Sequence, residues 1–257
     1  MTYPEPSSEH TPRCLVIGAT GAIGGAVAQR LRNAGARVTA TGRTVPNVAA
    51  DEAAAFRGVA LDVRDPEAIA RTVGEAAAWM GGLDALVYCP GVAHVGPLED
   101  LAPGQWDEIF EVNVRGFGLA VAAALPHWRA GKGGVAVAIS SQAGQRGQSL
   151  ISAYSASKAA LDGMVRALAV ELGPTVRVNA VAPGIVASDM IADDFRRQAD
   201  RESCSEDEIE ARTLRRIPVG RFQTRESIAA VVAMLVNGEA AADITGQTLV
   251  VDGGMTA

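Results

Sequence analysis

Short apolar runs separated by amphipathic stretches set the rhythm of the chain. Cys14-Leu15-Val16-Ile17 is a continuous apolar run that ends in glycines, and Ala22 to Asn33 follows with helical spacing. The order predicted is strand, turn, helix. Gly35 closes the helix, and Val38-Thr39-Ala40-Thr41 gives a second strand before the turn at Gly42-Arg43. The alternation continues with Gly58-Val59-Ala60-Leu61 as strand, Pro66 to Met80 as a helix opened by Asp65, and Ala85-Leu86-Val87-Tyr88-Cys89 as strand. A long helical region is predicted from about Gly104 to Trp128. Val135-Ala136-Val137-Ala138-Ile139 is apolar throughout, as strands buried on both faces are, and Ala153 to Leu172 reads as helix. Val176 to Val181 and Thr248 to Val251 supply the last two strands.

Seven strands alternating with helices predict an α/β fold, a Rossmann-like doubly wound seven-stranded parallel sheet with helices on both faces. Ligands of such sheets bind beyond the carboxyl ends of the strands. The 257 residues, 48% hydrophobic and only 4% aromatic, suit one core of closely packed helices on a sheet. A tail over 1–12 and one domain over 13–257 are expected. The tail, with Pro4, Glu5, Pro6, Ser7, Ser8 and Glu9, lacks the apolar run of a signal peptide. Between about 188 and 218 a charged, helix-capable segment with Asp193, Asp194, Arg196, Arg197, Glu206, Asp207 and Glu208 is a candidate lid. A net charge of −6 with scattered basic residues excludes the footprint of a nucleic-acid binder. Cys14, Cys89 and Cys204 have neither metal-site nor disulfide spacing, and no apolar stretch reads as a membrane span. Inert thiols, no metal and a cytoplasmic location are the expectations.

Gly18-Ala19-Thr20-Gly21-Ala22-Ile23-Gly24-Gly25 lies between the first strand and the first helix, where backbone N–H groups can receive a pyrophosphate. Gly18, Thr20, Gly21, Ile23 and Gly24 are therefore candidate dinucleotide contacts. The second strand ends on Gly42-Arg43, not on the acid that would bind free ribose hydroxyls. Arg43 offers a guanidinium fork to a 2′-phosphate, which favours NADP(H) and leaves NAD(H) as the alternative.

Tyr154 and Lys158 are four apart on a helix and so share a face. A nearby cation favours the phenolate, which makes proton transfer through Tyr154 feasible. Ser141, at the end of the fifth strand, is placed to donate to a substrate oxygen, and Ser140 competes for that role.

These motifs in this order resemble the short-chain dehydrogenase/reductase family in its compact form, with likeness to 3-oxoacyl-carrier-protein reductases and dihydrodiol dehydrogenases. The resemblance is carried by Tyr154-x-x-x-Lys158, Ser141, Asn113 in Asn-Val-Arg-Gly, Asp62-Val63, Val178 to Gly184, and Thr245-Gly246-Gln247 leading to Asp252-Gly253-Gly254. It implies that Tyr154 is general acid or base, Lys158 binds the nicotinamide ribose and lowers the tyrosine pKa, Ser141 orients the carbonyl, and Asn113 holds a water linking Lys158 to solvent. It further implies that Asp62 and Val63 flank the adenine, that Gly91 contacts the cofactor, that Pro183, Gly184 and Ser188 border the nicotinamide, and that the chain forms a homotetramer or homodimer.

Two motifs depart from the family. Gly18-x-x-Gly21-x-x-Gly24 replaces the usual glycine spacing, and Tyr88-Cys89-Pro90-Gly91 replaces Asn-Asn-Ala-Gly. The stretch from Arg43 to Asp62 is short, so its usual helix is expected to be truncated. Segments after the fourth, fifth and sixth strands would wall a substrate pocket with His94, Gln142, Gln145, Arg146 and Gln148, suited to a polar or acidic substrate such as a hydroxylated ring bearing a carboxylate. Ketone and secondary alcohol interconversion is the expected chemistry. The rivals are a dinucleotide sensor without turnover and, from the glycine spacing alone, an epimerase or dehydratase.

Overall fold

The computed structural model describes residues 11–47, 54–187, 189–237 and 239–257. The strands are β1 (Arg13–Ile17), β2 (Arg37–Gly42), β3 (Phe56–Ala60), β4 (Ala85–Tyr88), β5 (Gly134–Ile139), β6 (Val176–Pro183) and β7 (Thr248–Val251). They form one seven-stranded sheet in the order β3-β2-β1-β4-β5-β6-β7, and every pairing is parallel. The order reverses between β1 and β4, which opens a crevice at their carboxyl ends.

Because side chains alternate along a strand, β1 feeds two cores. Leu15 and Ile17 pack with Ile69 and Val73 of α2 (Pro66–Met80), Phe117 and Trp128 of α4 (Gly116–Ala130), and Leu161 and Val165 of α5 (Ser152–Leu172). Cys14 and Val16 pack instead with Val27 and Leu31 of α1 (Ala22–Asn33) and with Ile228, Val232 and Leu235 of α8 (Arg225–Val236). Asp65 caps α2 as its sequence suggests, accepting from the Glu67 and Ala68 amides at 2.9 and 3.1 Å.

Several boundaries differ from the sequence expectation. β3 starts at Phe56 because Phe56 pairs with Val38, and it ends before Leu61. β4 stops at Tyr88, one residue short of Cys89. α8 was not among the predicted elements; its Ala- and Val-rich run lacks the polar contrast that marks a helix, although Thr224 caps it through the Ser227 amide at 3.1 Å. The long helix expected from Gly104 to Trp128 runs from Pro103 to Ala130 and is interrupted. α3 (Pro103–Phe110) passes into a π-helical turn, Glu111–Arg115, before α4. By length and composition alone this helical stretch would suffice to cross a membrane, yet Ile109, Val112, Phe117, Ala120, Ala124 and Trp128 are buried within the protein.

The charged segment after β6 folds as α6 (Asp189–Glu202) and α7 (Glu206–Leu214), joined through a third small core of Phe195, Ala199 and Ile209. Ser205 and Glu208 form a reciprocal cap at the start of α7. Most of the tail, including Pro4 to Glu9, and the middle of the Arg43 to Asp62 stretch lie outside the described residues.

Candidate active site

The turn from β1 into α1 brings backbone close to backbone. Gly18 has φ +82°, and a Cβ on Gly24 would lie 2.3 Å from the Gly18 carbonyl oxygen, so only glycine at 24 lets α1 start against the strand end. A Cβ on Gly18 would meet the Pro90 ring at 3.0 Å. The altered glycine turn and the altered segment after β4 are therefore packed against each other. Gly42, at the end of β2, leaves room for the Thr20 side chain. A cleft of about 400 Å³ opens there, lined in part by Ala19, Thr20, Gln29, Thr44 and Phe56. Arg43 is exposed at its edge of the sheet.

Tyr154 and Lys158 rise from the first turns of α5, with the Lys158 ammonium 5.7 Å from the Tyr154 ring centre. Ser141, just beyond the end of β5, faces the Tyr154 side chain, and its Oγ accepts from the Ala143 amide at 3.1 Å. Burial raises the Tyr154 pKa above that of a free phenol, and the nearby Ser141 hydroxyl works in the opposite direction. Ser140 is buried, whereas Ser141 is only half-buried. Lys158 is almost fully buried, and its Nζ donates to the Ile139 carbonyl at 2.8 Å. Burial lowers its pKa to about 8, against the opposing pull of the Asp162 carboxyl group.

Asn113 sits in the π-helical turn, a geometry that redirects one side chain out of helical register. Its Oδ1 accepts from the Val92 amide at 2.8 Å, and its Nδ2 donates to the Val92 carbonyl and to Ser157 Oγ, both at 2.9 Å. Asn113 thus ties the segment after β4 to the helix that carries Lys158. A Cβ on Gly91 would lie 3.4 Å from Lys158 Nζ and 3.7 Å from Asn113 Oδ1, which places Gly91 over this pair. Tyr88, buried where the family has asparagine, donates its hydroxyl to the Val112 carbonyl at 2.6 Å and so grips the π turn from β4. Burial pushes the Cys89 thiol up to about 12, leaving it un-ionised.

A family profile described as enoyl-(acyl carrier protein) reductase matches residues 18–256. The chain belongs to the short-chain dehydrogenase/reductase family. Among short-chain dehydrogenase/reductase relatives, the inactive 2-(S)-hydroxypropyl-CoM dehydrogenase 2 of Xanthobacter autotrophicus is 39% identical over 217 residues, 84% of this chain and 92% of that one. Cis-4-hydroxycyclohexanecarboxylate dehydrogenase of Sinomonas cyclohexanicum is 35% identical over 252 residues, 95% of this chain and 96% of that one. A short-chain dehydrogenase from Burkholderia cenocepacia, solved in complex with NADP, superposes with a TM-score of 0.79 at 34% identity, covering 96% of this chain and 98% of that one. As a member of the family, the chain is an NAD(P)(H)-dependent oxidoreductase that interconverts a ketone and an alcohol.

Other predicted family positions are distributed as follows. Asp62 binds its neighbour Arg64 through the Arg64 amide at 3.0 Å and the guanidinium at 2.6 Å, which holds its carboxyl below the usual range. Val63 is buried. Pro183 ends β6; Gly184 donates to the Val251 carbonyl and is wedged against Gln223 and Asp252. Ser188 lies outside the described residues. Of the candidate substrate residues, His94 pairs with Glu108 at 2.9 Å and Gln105 at 3.2 Å, both on α3. Gln142 is buried, and Gln148 is half-exposed on the loop. Arg146 donates to the Met255 carbonyl at 2.7 Å, while Gln145 reaches Asp162 instead of the cleft. The segments after β4 and β5 are joined where the Gly96 amide donates to Leu150 at 2.8 Å. Gln223 and Ser157 escaped the sequence reading because each acts on backbone or on another side chain, and no spacing marks such a role.

Proposed function

We propose that this protein interconverts a ketone and a secondary alcohol with Tyr154 as general acid or base, and that it favours NADP(H) over NAD(H). The observation that carries the reading is the grouping of Ser141, Tyr154 and Lys158: Ser141 faces the phenol, and the ammonium of the buried Lys158 lies 5.7 Å from the Tyr154 ring centre. The donor set fits a nicotinamide dinucleotide. Lys158 spends one of the three hydrogens of an ammonium on Ile139, so it retains donors for ribose hydroxyls. Gly18, Thr20, Gly21, Ile23 and Gly24 would cradle the pyrophosphate, Asp62 and Val63 the adenine, and Pro183, Gly184 and Ser188 the nicotinamide, with Gly91 against the cofactor beside Lys158 and Arg43 at the 2′-phosphate.

When bound, the nicotinamide gives or takes the hydride. Tyr154 donates its phenolic proton to the substrate oxygen during reduction and takes it back during oxidation. Ser141, held by the Ala143 amide, donates to the same oxygen and fixes the carbonyl. Lys158 places positive charge near the phenol, and Asn113 keeps the lysine's helix in register with the segment after β4. The α6–α7 pair, with its own small core, is the lid over this cleft.

A hydroxylated ring bearing a carboxylate is the substrate class proposed, with Arg146 as its cationic partner. Support comes from the Sinomonas relative, whose name states such a substrate. A homotetramer or homodimer in the cytoplasm completes the reading. A second reading, dinucleotide binding without turnover, draws on the Xanthobacter relative named inactive; the Ser141, Tyr154 and Lys158 set weighs against it.

The test pairs wild type with Tyr154→Phe on a ketone and alcohol panel that includes cis-4-hydroxycyclohexanecarboxylate, run with both cofactors. Turnover should fall by roughly 10² to 10⁴ in the variant while cofactor affinity is nearly unchanged. Binding without turnover in the wild type supports the sensor instead, and undiminished turnover in Tyr154→Phe removes the tyrosine mechanism.

A further inference from the structure

Asp162 lies one helical turn beyond Lys158 on α5 and is 2% exposed. A carboxylate in such a position costs the fold free energy unless donors surround it. Two elements supply them. Gln145 Nε2, on the loop after β5, donates at 2.7 Å, and Thr248 Oγ1, on β7, donates at 3.1 Å. The 3-10 turn Gln142–Gly144, which begins at Ser141, is pressed against α5 at the same point. A Cβ on Gly144 would lie 2.9 Å from the Lys158 carbonyl carbon and 3.0 Å from Asp162 Oδ2.

We infer that Asp162 is a positioning residue, clasping the Ser141 turn to the helix of Tyr154 and Lys158 and serving as the counter-charge that keeps the buried Lys158 protonated. The inference rests on the chemistry proposed for Tyr154 and Lys158. The groups facing Asp162 are Lys158 and Arg166 on α5 and Ser140, Gln145 and Thr248 around it; Tyr154 and Cys89 face Lys158. Burial raises the pKa of Asp162, so its ionised form opposes folding. A carboxylate one helical turn away in partly desolvated surroundings favours the ammonium by roughly a factor of ten or more.

The sequence holds only two lysines, Lys132 and Lys158, so a protein carrying 13C-labelled lysine shows one exposed and one buried side-chain signal. The titration midpoint of Lys158 should fall by about one pH unit or more in Asp162→Asn, with Lys132 unmoved. In the unmutated protein the Lys158 signal should carry a second inflection at acid pH, where Asp162 takes up its proton. The wild-type inflection decides the matter even if the variant fails to fold. An unchanged Lys158 midpoint in a folded Asp162→Asn, or a wild-type curve with no acid inflection, overturns the inference. The NMR readout needs no turnover, so absence of turnover refutes the proposed function alone. With turnover, the pH profile of alcohol oxidation should move to lower pH in Asp162→Asn, whereas a merely structural defect lowers the rate without moving the profile.

Discussion

Gly24→Ala and Gly21→Ala separate the two tasks assigned to the glycine turn. The added Cβ at 24 would stand 2.3 Å from the Gly18 oxygen, 2.8 Å from the Gly18 carbon and 3.1 Å from the Ala19 Cα, all of them backbone atoms. Relief requires α1 to back away from the end of β1 by about 1 Å, since unstrained contacts of this kind begin near 3.5 Å. Overpacking of that kind costs about 1–3 kcal/mol, or about 2–4 °C in Tm for each kcal/mol in a chain of this size. At Gly21 the nearest atom to a new Cβ is the Gly18 oxygen at 3.5 Å, and the backbone at φ −80° and ψ 160° suits alanine. The stability cost there is the loss of a tolerated N-cap glycine, under about 1 kcal/mol. The Gly21 Cβ would instead crowd the approach of a pyrophosphate. Thermal unfolding without cofactor and fluorescence titration with NADPH provide the two axes. Gly24→Ala should lose stability, and Gly21→Ala should keep stability but lose affinity by about tenfold or more. Equal Tm losses in the two variants, or undiminished NADPH affinity in Gly21→Ala, would refute this account of the turn.

Arg43→Asp should weaken NADP(H) binding far more than NAD(H) binding; parallel titrations that shift both equally remove the 2′-phosphate assignment. Lys158 is protonated below about 8 and loses its charge above it, so NADPH affinity should decline as pH rises through that value, and a flat profile from pH 6.5 to 9.5 contradicts its role at the ribose. Arg146→Ala should raise the Michaelis constant for a carboxylate substrate without altering cofactor affinity. An unchanged constant would leave Arg146 solely as the residue that anchors the Met255 carbonyl.

Periodicity made the sheet, α1, α2, α5 and the Tyr154 to Lys158 pair legible, because each depends on spacing that a linear pattern displays. The interrupted helix around Asn113 was not legible: a π turn shifts the register by a single residue and leaves the apolar pattern from Gly104 to Trp128 looking continuous. α8 was hidden for the opposite reason, since Ile228 to Val236 is so apolar that helix and buried strand read alike. Gln145 looked free to meet a substrate, but the polarity of a side chain does not reveal its direction, and it meets Asp162. Tyr88 and Pro90, which read only as departures from a motif, proved to hold the π turn and the glycine turn.

The central claim, hydride exchange at a substrate carbon with proton exchange through Tyr154, is most directly tested with NADPH deuterated at the transferable position and a ketone that the protein reduces. Deuterium should appear on the carbinol carbon in wild type and be lost almost entirely in Tyr154→Phe despite normal cofactor binding. Alcohol formed without deuterium at that carbon, or equal deuterium transfer in the variant, contradicts the claim.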